Sequence, residues 1–394
     1  MSEARGVLRD NGFMTEPLSL LILSFSPIRS DPRVLKQVEL FKDKYRVITC
    51  AYGDAPDGVA EHYSLPADSR GWPNDKVGLA TRQFKRVYEG LPAVQAARAI
   101  LPVGQFDIVL SNDLNTLPLA LDLKPRLGVH ADLHEFAPKE KDDDVKWRTF
   151  VAPLMRWLCK NYLPKASSLT TVSDGIAAQY TKDYGVAAGV VTNAAPYLEA
   201  SPQPVGETIR LIHSAAGQRY RKLENFINAM RDAPPWLKLD MIVMPNEPDY
   251  VAELKELARG VEGISFRDPV PYAELVGTLQ SYDVSIVFLP PTNFNLANAL
   301  PNKFFEAVQA RLGVIVGPSP AMVSLVNEYG FGTVTEDFST ESLTATLKSL
   351  TPELVTGWKQ SAHEAAHALS AEQQVKLWET SIADIAASGA NAQG

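Results

Sequence analysis

One short stretch of the chain combines amide, cationic and carboxylate side chains at Asn298, Asn302, Lys303 and Glu306. Pro301 and the spacing of the apolar residues predict a polar loop that leads into a helix. A helix N-terminus carries partial positive charge and free N–H groups, so it suits a diphosphate. Glu306, one turn further along, can accept hydrogen bonds from sugar or ribose hydroxyls. The alternative is a helix-capping loop with a solvated glutamate.

A turn in the second half of the chain holds three cations within four residues, Arg219, Arg221 and Lys222. It follows a predicted strand and Gly217, and it precedes a helix predicted to start near Leu223. Guanidinium groups bind phosphate oxygens through paired hydrogen bonds, and the helix N-terminus adds further donors. The turn therefore predicts a diphosphate site, with a solvated basic loop as the alternative.

In the first half of the chain, polar residues follow two predicted strands. Asp113 comes after the strand at 108–111, and His134 and Glu135 come after the strand at 128–132. Ligands of open parallel sheets bind at the carboxyl ends of the strands, so these three side chains are candidates for catalysis. A single histidine is more often structural, and that is the alternative for His134.

The pair His363 and His367 formally satisfies His-Glu-x-x-His, a pattern that on a helix presents two imidazoles to zinc. No histidine follows His367, and Glu372 and Glu379 lie nearer than the usual distal glutamate ligand. We therefore predict an exposed helix face without metal. A zinc hydrolase is the alternative, which elemental analysis would test.

Short apolar runs alternate with longer amphipathic stretches, and these elements must position the candidate residues. The alternation indicates βα units and parallel sheets, so the fold class is α/β with two Rossmann-like domains. Predicted strands cover residues 18–25, 45–51, 108–111, 128–132, 168–172, 190–191, 209–213, 239–243, 264–266, 284–289, 314–316 and 332–334. Helical patterns cover residues 31–42, 223–230, 250–258, 272–279, 303–310 and a long stretch at 358–385.

Composition shifts along the chain predict the domain limits. Residues 201–208, which read Ser-Pro-Gln-Pro-Val-Gly-Glu-Thr, are typical of a linker. We predict a flexible N-terminus at 1–17, a first domain at 18–200, the linker at 201–208, a second domain at 209–360 and a C-terminal helix with a tail at 361–394.

Charge and composition exclude several classes of protein. A net charge of −8 without a long basic run argues against a nucleic-acid partner. The turns after the first strand of each domain lack Gly-x-Gly-x-x-Gly, which argues against a nicotinamide cofactor. Two cysteines fit a reducing compartment. The apolar run at 18–25 is too short to span a bilayer, so we expect a cytoplasmic protein.

The segment 147–163 mixes basic and aromatic residues at helical spacing, among them Arg156, Trp157 and Lys160. Such a face fits peripheral membrane association, at the inner face of the membrane. A helix that packs on the sheet with its charges solvated explains the pattern nearly as well, and both interpretations stay open at this point.

The ordered series of these segments, from Ser26 to about Ile385, resembles the GT-B glycosyltransferases. The stretch from Asn298 to Glu306 is similar to the Glu-x7-Glu donor motif of the retaining, family-4-type enzymes (glycosyltransferase group 1), with Asn298 at the position of the first glutamate. The resemblance implies two Rossmann-like domains that face each other across a cleft. It also implies a C-terminal helix that returns to the first domain.

The resemblance implies roles for individual residues. Arg221 and Lys303 would stabilise the departing nucleotide, and Glu306 would hold its ribose. His134, paired with Glu135, would face the donor sugar. The other residues predicted at the nucleotide or sugar are Gly217, Arg219, Lys222, Asn298 and Asn302. If the enzyme inverted the anomeric configuration, the candidate bases would be Asp113 and Asp132.

The implied activity is transfer of a sugar from a nucleoside-diphosphate sugar to a hydroxyl acceptor with retention of configuration. It implies neither a cofactor nor a metal, because cations and helix dipoles can neutralise the leaving group. The acceptor would be a glycan, a lipid-linked sugar or another hydroxyl compound of bacterial polysaccharide, glycolipid or cell-envelope glycan synthesis. The alternative is a catalytically silent GT-B-like binding subunit of a glycan-synthesis complex, which would explain Asn298.

Overall fold

The computed structural model describes residues 17–391, so the predicted flexible N-terminus at 1–17 lies almost wholly outside the described residues. The strands of this range have the limits β1 Ser19–Pro27, β2 Arg46–Tyr52, β3 Glu61–Leu65, β4 Ile108–Asn112, β5 Gly128–Leu133, β6 Ser168–Thr171, β7 Gly189–Val190, β8 Ile209–Ala216, β9 Leu237–Met244, β10 Ile264–Arg267, β11 Val284–Val287, β12 Gly313–Val316 and β13 Gly332–Val334. They form a seven-stranded sheet in the order β3-β2-β1-β4-β5-β6-β7 and a six-stranded sheet in the order β10-β9-β8-β11-β12-β13.

Helices connect the strands. Their limits are α1 Pro32–Phe41, α2 Lys76–Ala80, α3 Phe84–Glu89, α4 Pro92–Ile100, α5 Leu117–Asp122, α6 Ala152–Tyr162, α7 Asp174–Tyr184, α8 Glu224–Arg231, α9 Pro248–Leu257, α10 Tyr272–Leu279, α11 Phe294–Ala297, α12 Asn302–Gln309, α13 Pro320–Tyr329, α14 Thr340–Lys348, α15 Pro352–Ala365, α16 Ala371–Gln374 and α17 Lys376–Asn391. Between residues 17 and 391, none of these helices has the length and apolar character that a membrane span requires.

An apolar strand lies at the centre of each sheet. In the first sheet, Leu21 of β1 lies opposite Ile48 of β2 on one side and Val109 of β4 on the other. Residues 20–23 are completely buried, as expected for a parallel strand that is covered on both faces. In the second sheet, β8 has the same position between β9 and β11. The strand order reverses at β1 and at β8, and ligands of such sheets bind near these reversals, at the carboxyl ends of the strands.

The described chain divides into two compact units. The first unit contains residues 17–132, 162–168 and 379–391, and the second contains residues 133–161 and 169–378. Most of α17 thus belongs to the first unit, where Lys44 Nζ donates to Glu379 Oε1 at 2.7 Å. The predicted return of the C-terminal helix to the first part of the chain is confirmed. The residue limits of the domains stay a prediction.

The stretch predicted to be helical throughout 358–385 is interrupted. α15 ends at Ala365, and a turn precedes α16. Partners from outside the stretch hold this turn, because Gln309 Nε2 donates to Ala366 O at 2.7 Å and Ala371 N donates to Ala195 O at 2.8 Å. Leu369 N still donates to Ala365 O at 3.0 Å, and hydrogen bonds to distant residues hold the rest of the turn. The periodicity of the stretch itself does not reveal such partners.

Candidate functional site

The turn after β8 depends on two unusual backbone positions. Gly217 N donates to Met244 O at 2.8 Å, and a Cβ on Gly217 would lie only 2.6 Å from that oxygen and from Val251 Cγ2. Only glycine fits this approach. Lys222, at the end of the turn, has the left-handed conformation, with φ 50° and ψ 49°. Together the two positions fix the basic turn at residues 219–221 beyond the carboxyl end of β8.

The two arginines of this turn have different surroundings. Arg219 donates to both carboxylate oxygens of Glu253, at 2.8 and 2.5 Å, and both side chains are exposed. Arg221 has no carboxylate partner among residues 17–391, and its Nε donates to Gln218 Oε1 at 3.4 Å. The predicted role of Arg219 stays a prediction, but its guanidinium is already engaged. Arg221 keeps its donors available for a ligand.

Lys303 and Glu306 lie one turn apart on α12, so they share a face of the helix. Lys303 Nζ donates to Ser214 O, at the end of β8. Glu306 is buried, with only 5% of its surface exposed. The pKa of Lys303 is lowered to about 8, first by burial and then by repulsion from Arg221, whereas Glu306 raises it. Arg221, Lys303 and Glu306 are therefore close enough to act on one another and form a single charged cluster.

The N-terminus of α12 adds a second source of positive potential to this cluster. The helix begins at Asn302, which is exposed, and Pro301 is its N-cap residue. No side chain in the described part of the chain caps this end. Its positive end is therefore open to an anion, and the binding of a diphosphate there stays a prediction.

His213 of β8 is a buried neighbour of the cluster that the sequence analysis did not single out. Its ring stacks on Phe226 at 4.0 Å between ring centroids, and Nδ1 lies 2.7 Å from Ile286 O. A carbonyl oxygen only accepts, so Nδ1 carries the proton and Nε2 is an acceptor without a partner in the described chain. Burial, followed by the charge of Lys303, lowers the pKa of His213 to about 3. The imidazole is thus neutral beside two cations.

Asn298 has a structural position at the end of α11. Its Nδ2 donates to Phe294 O at 2.9 Å, and a Cβ on Gly175 would overlap its Oδ1. The carboxamide is thereby held between the last turn of α11 and the first turn of α7. Its predicted contact with a donor sugar stays a prediction.

His134 and Glu135 follow β5 directly, and Asn295 holds the segment that carries them. Asn295 Oδ1 accepts from Phe136 N at 2.9 Å, and Asn295 Nδ2 donates to Glu135 Oε2 at 3.3 Å. Asn295 is 8% exposed, whereas His134 is half-buried and Glu135 is exposed. A residue that the sequence analysis missed therefore joins the segment of His134 to the loop of Asn298. The only signal for it in the sequence is the series of asparagines at 293, 295 and 298.

In the first unit, a buried polar network occupies the carboxyl ends of β4 and β5. Arg33 donates through Nε and Nη2 to the two oxygens of Asp132, each at 2.7 Å. Gln37 donates to Asp132 at 2.9 Å and exchanges two hydrogen bonds of 2.9 Å with Asn112. Asp132 is completely buried and saturated by these donors, so it is unsuited to be the general base considered above. The network instead attaches α1 to the sheet.

Asp113 lies at the edge of a cavity that belongs to the first unit alone. Its φ of 66° is unusual for a residue other than glycine, and its N–H donates to Asp132 O at 2.8 Å. The cavity has a volume of about 350 Å³, and its walls include Tyr52, Arg70 and Trp72. Trp72 is 43% exposed. Because aromatic faces lie beside a carboxylate and a guanidinium, the cavity suits a polar organic ligand.

His363 and His367 do not present two imidazoles on one helical face. α15 ends at Ala365, so His367 lies in the turn that follows. His363 Nδ1 accepts from Arg311 Nε at 3.1 Å, and His367 Nε2 accepts from Gln373 Nε2 at 3.1 Å. Within residues 17–391, no group of three or more His, Cys, Asp or Glu side chains is arranged to hold a metal ion.

Comparison with known proteins identifies the fold. No protein-family model and no curated protein matches the sequence. Solved structures match the fold along nearly the whole chain: α,α-trehalose-phosphate synthase (UDP-forming) from Burkholderia vietnamiensis has a TM-score of 0.66 and 13% identity over 96% of this chain and 100% of that chain. HepE from Anabaena in complex with UDP and glucose has a TM-score of 0.65 and 13% identity over 93% and 99%. Sucrose-phosphate synthase from Thermosynechococcus elongatus has a TM-score of 0.65 and 11% identity over 93% and 100%.

This chain has the GT-B fold. The predicted α/β class with two Rossmann-like sheets is confirmed, and so is the resemblance to GT-B glycosyltransferases at the level of the fold. Within the GT-B fold, the cluster of Arg221, Lys303 and Glu306 lies at the carboxyl end of the central strand of the second sheet. The narrower assignment to the family-4 type stays a prediction.

Proposed function

We propose that this chain is a glycosyltransferase that moves a sugar from a nucleoside-diphosphate sugar to a hydroxyl acceptor. The observation that carries the proposal is the cluster of Arg221, Lys303 and Glu306 at the end of β8. Two cations beside an uncapped helix N-terminus match a diphosphate, and a buried carboxylate matches a pair of ribose hydroxyls. The comparison structure of HepE contains UDP, which makes uridine diphosphate the first nucleotide to test.

The cluster also suggests how the transfer is accelerated. The bond between the sugar carbon and the diphosphate oxygen breaks, and negative charge develops on the departing diphosphate. Arg221, Lys303 and the start of α12 neutralise this charge, which is usually the largest catalytic contribution in such sites. We propose that the reaction needs no metal ion and retains the anomeric configuration. The acceptor hydroxyl attacks the sugar carbon on the face of the leaving group, and its proton passes to the departing diphosphate oxygen.

The acceptor belongs, in this proposal, to bacterial polysaccharide, glycolipid or cell-envelope glycan synthesis. The cavity of the first unit supports a carbohydrate acceptor, because Trp72 offers an aromatic face and Asp113 a hydrogen-bond acceptor. The basic residues of α6 support a cytoplasmic enzyme that works at the inner face of the membrane.

The two arginines of one turn provide the test. We expect Arg221→Gln to weaken uridine diphosphate binding by roughly ten- to a hundredfold, since hydrogen bonds to charged groups contribute about 1.5–3 kcal/mol. Arg219→Gln is the matched control, because Glu253 already engages that guanidinium. Calorimetry with uridine, guanosine and thymidine diphosphates measures both variants. Failure of all three nucleotides to bind, or an equal effect of the two substitutions, would contradict the proposal.

A catalytically silent GT-B-like binding subunit is the second candidate, and the position of Asn298 favours it. Its carboxamide is occupied by Phe294 O and lies against Gly175, and an amide stands where the resemblance places a carboxylate. Hydrolysis of a bound nucleotide sugar separates the two candidates. A transferase should release the nucleotide slowly from its cognate donor, whereas a silent subunit should bind the donor without cleaving it.

A further inference from the structure

A large cavity of the second unit lies apart from the residues of the nucleotide cluster. Its volume is about 710 Å³, and it lies between α6, α7 and the turn that follows Phe136. Four cations line it, Lys139, Arg156, Lys160 and Lys182, against a single carboxylate, Asp183. None of Arg221, Lys303 or Glu306 lines this cavity, so its charge needs a separate explanation.

The helices and the turn around the cavity place the four cations at its wall. Arg156 and Lys160 are four residues apart on α6, which puts them on one face of that helix. Lys182 lies in the last turn of α7. Lys139 reaches the cavity from the turn after β5, with its Nζ 4.4 Å from the centre of the Phe294 ring.

The four cations have no ion pair with a carboxylate in the described part of the chain. Asp183, the only acidic residue of the lining, instead accepts a hydrogen bond from Gln179 Nε2 at 2.7 Å. Other exposed lysines of the described chain, for example Lys238 and Lys348, also have no ion pair, so it is the grouping of four cations around one cavity that needs an explanation. The net charge of the whole chain is −8, so four adjacent unpaired cations are a local exception. Water and salt screen the mutual repulsion of these cations only in part, and an anion between them would relieve it.

Aromatic rings form the remaining wall of the cavity. Phe136 and Tyr184 both line it, with ring centroids 6.2 Å apart. A cationic rim beside aromatic rings suits a phosphate group that carries an apolar or ring-shaped substituent. Arginine binds phosphate oxygens through its planar fork, and lysine binds them as a point charge.

We propose that this cavity is a second anion site, which binds a phosphate monoester or diester, as a free phosphorylated molecule or as the headgroup of a lipid. Phe136, on its wall, lies two residues beyond His134 and is held by Asn295. An occupant therefore contacts the segment that carries a predicted catalytic residue. The proposal does not depend on the nucleotide assignment, because the two sites share no residue.

The test removes the charge of the exposed cations. The site variant is Arg156→Gln/Lys160→Gln/Lys182→Gln, and the control variant is Lys238→Gln/Lys255→Gln/Lys348→Gln, which removes the same charge from exposed positions of the same unit. Both are compared with the wild-type chain, after circular dichroism and thermal unfolding have shown that they fold. Binding of a probe at the nucleotide cluster cancels in this comparison, because all three proteins keep that cluster unchanged.

Two probes distinguish the sources of the phosphate. Inorganic pyrophosphate, measured by calorimetry, reports on free phosphorylated molecules, and we expect about tenfold weaker binding to the site variant. Vesicles of phosphatidylglycerol and phosphatidylcholine, measured by co-sedimentation beside pure phosphatidylcholine, report on headgroups. There we expect a loss of roughly a hundredfold, since each basic residue near an anionic membrane contributes about 1 kcal/mol.

Each pattern of results decides the matter. A loss specific to the site variant with vesicles alone, or with both probes, supports a lipid headgroup as the occupant, and a loss with pyrophosphate alone supports a free phosphorylated molecule. If the site and control variants lose binding equally with both probes, or lose none, the anion site does not exist. Uridine diphosphate affinity, measured in parallel, should stay unchanged, so failure of one proposal does not imply failure of the other.

Discussion

At the scale of single residues, the carboxylate of Glu306 should determine how tightly the nucleotide binds. Glu306→Gln keeps the volume of the side chain but removes the charge that would accept from two ribose hydroxyls. Hydrogen bonds to charged groups contribute about 1.5–3 kcal/mol, so we expect nucleotide affinity to fall by roughly ten- to a hundredfold. Calorimetry with the cognate nucleotide measures this change.

His134→Ala is the contrasting substitution of the same prediction. The imidazole is predicted at the sugar and not at the nucleotide, so the affinity for free nucleoside diphosphate should remain close to that of the wild type. Transfer or donor hydrolysis should collapse. Normal nucleotide binding by Glu306→Gln, or normal turnover by His134→Ala, would remove the corresponding role.

The lowered pKa of Lys303 predicts how nucleotide binding depends on pH. The group has a pKa of about 8 instead of 10.5 in the free protein, because of burial and the charge of Arg221. A diphosphate favours the protonated amine, so affinity should be constant below about pH 8 and should fall as pH rises through it. The fall is at most tenfold per pH unit for one proton.

Calorimetry at pH 7, 8 and 9 covers this window, in which a phosphate with a second pKa of about 6 is already ionised. Lys303→Arg is the matched variant, since a guanidinium stays protonated across the whole range. Its affinity should be independent of pH between 7 and 9. A wild-type profile that is equally flat would show that the amine of Lys303 does not bind the phosphate.

At the scale of elements, replacing each of two glycines with alanine should have opposite effects on stability. Gly217 lets the turn after β8 approach Met244 O, where a Cβ would lie at 2.6 Å from backbone, whereas Gly357 lies exposed inside α15 with nothing within 4 Å of a Cβ. We expect Gly217→Ala to destabilise the protein by about 1–3 kcal/mol through overpacking. Gly357→Ala should stabilise it by up to about 1 kcal/mol, since alanine has the higher helix propensity.

Thermal unfolding measures both substitutions. The midpoint should fall by several degrees for Gly217→Ala and rise by about 1–4 °C for Gly357→Ala. Nucleotide affinity adds a second readout, because only the first substitution displaces the basic turn. Equal midpoints for the two variants would show that the approach of Gly217 to Met244 does not constrain the turn.

The strands also show how much secondary structure local sequence patterns can predict. Twelve of the thirteen strands coincide with apolar runs that predict them. The exception is β3, Glu61–Leu65, an edge strand in which only Leu65 is buried. It pairs with β2 alone, so its sequence has no need of a continuous apolar run. Its existence depends on the pairing with β2, the preceding strand, and the periodicity of its own residues cannot reveal that pairing.

At the scale of the whole molecule, buried neutral histidines predict sensitivity to acid. Burial lowers the pKa of His130 in the first unit to about 4 and that of His213 in the second unit to about 3, from an unperturbed 6.5. Below pH 6.5 the unfolded chain therefore binds more protons than the folded one. The free energy of unfolding should therefore decrease as the pH falls below 6.5, by up to about 1.4 kcal/mol per pH unit for each histidine.

Thermal unfolding at pH 7 and pH 5 measures this loss. His213→Asn keeps a donor for Ile286 O but cannot take up a proton, so the difference between the two midpoints should shrink, even though the variant is less stable at pH 7. His367→Asn, at an exposed position, is the control and should retain the wild-type difference. An unchanged difference in His213→Asn would show that this imidazole does not govern the acid sensitivity.

The sequence by itself determined the features that depend on neighbours along the chain. Alternating apolar and amphipathic runs are enough to predict parallel sheets, because a buried strand and a helix each leave a local pattern. Lys303 and Glu306 share a helical face because of their spacing alone. The basic turn at 219–221 and the polar residues after β4 and β5 are likewise evident from the order of residues along the chain.

Only the tertiary structure decided which of these groups are available to a ligand. Arg219 and Arg221 are two residues apart, and it is Glu253 on α9 that engages one and leaves the other. Asp132 lies near the carboxyl end of β5, where a catalytic carboxylate would be expected, but Arg33 saturates it from 99 residues away. Asn295 joins a segment 159 residues distant. Long-range partners of this kind follow from how the elements pack, because the spacing of residues along the chain specifies which side chains are present and not which of them meet.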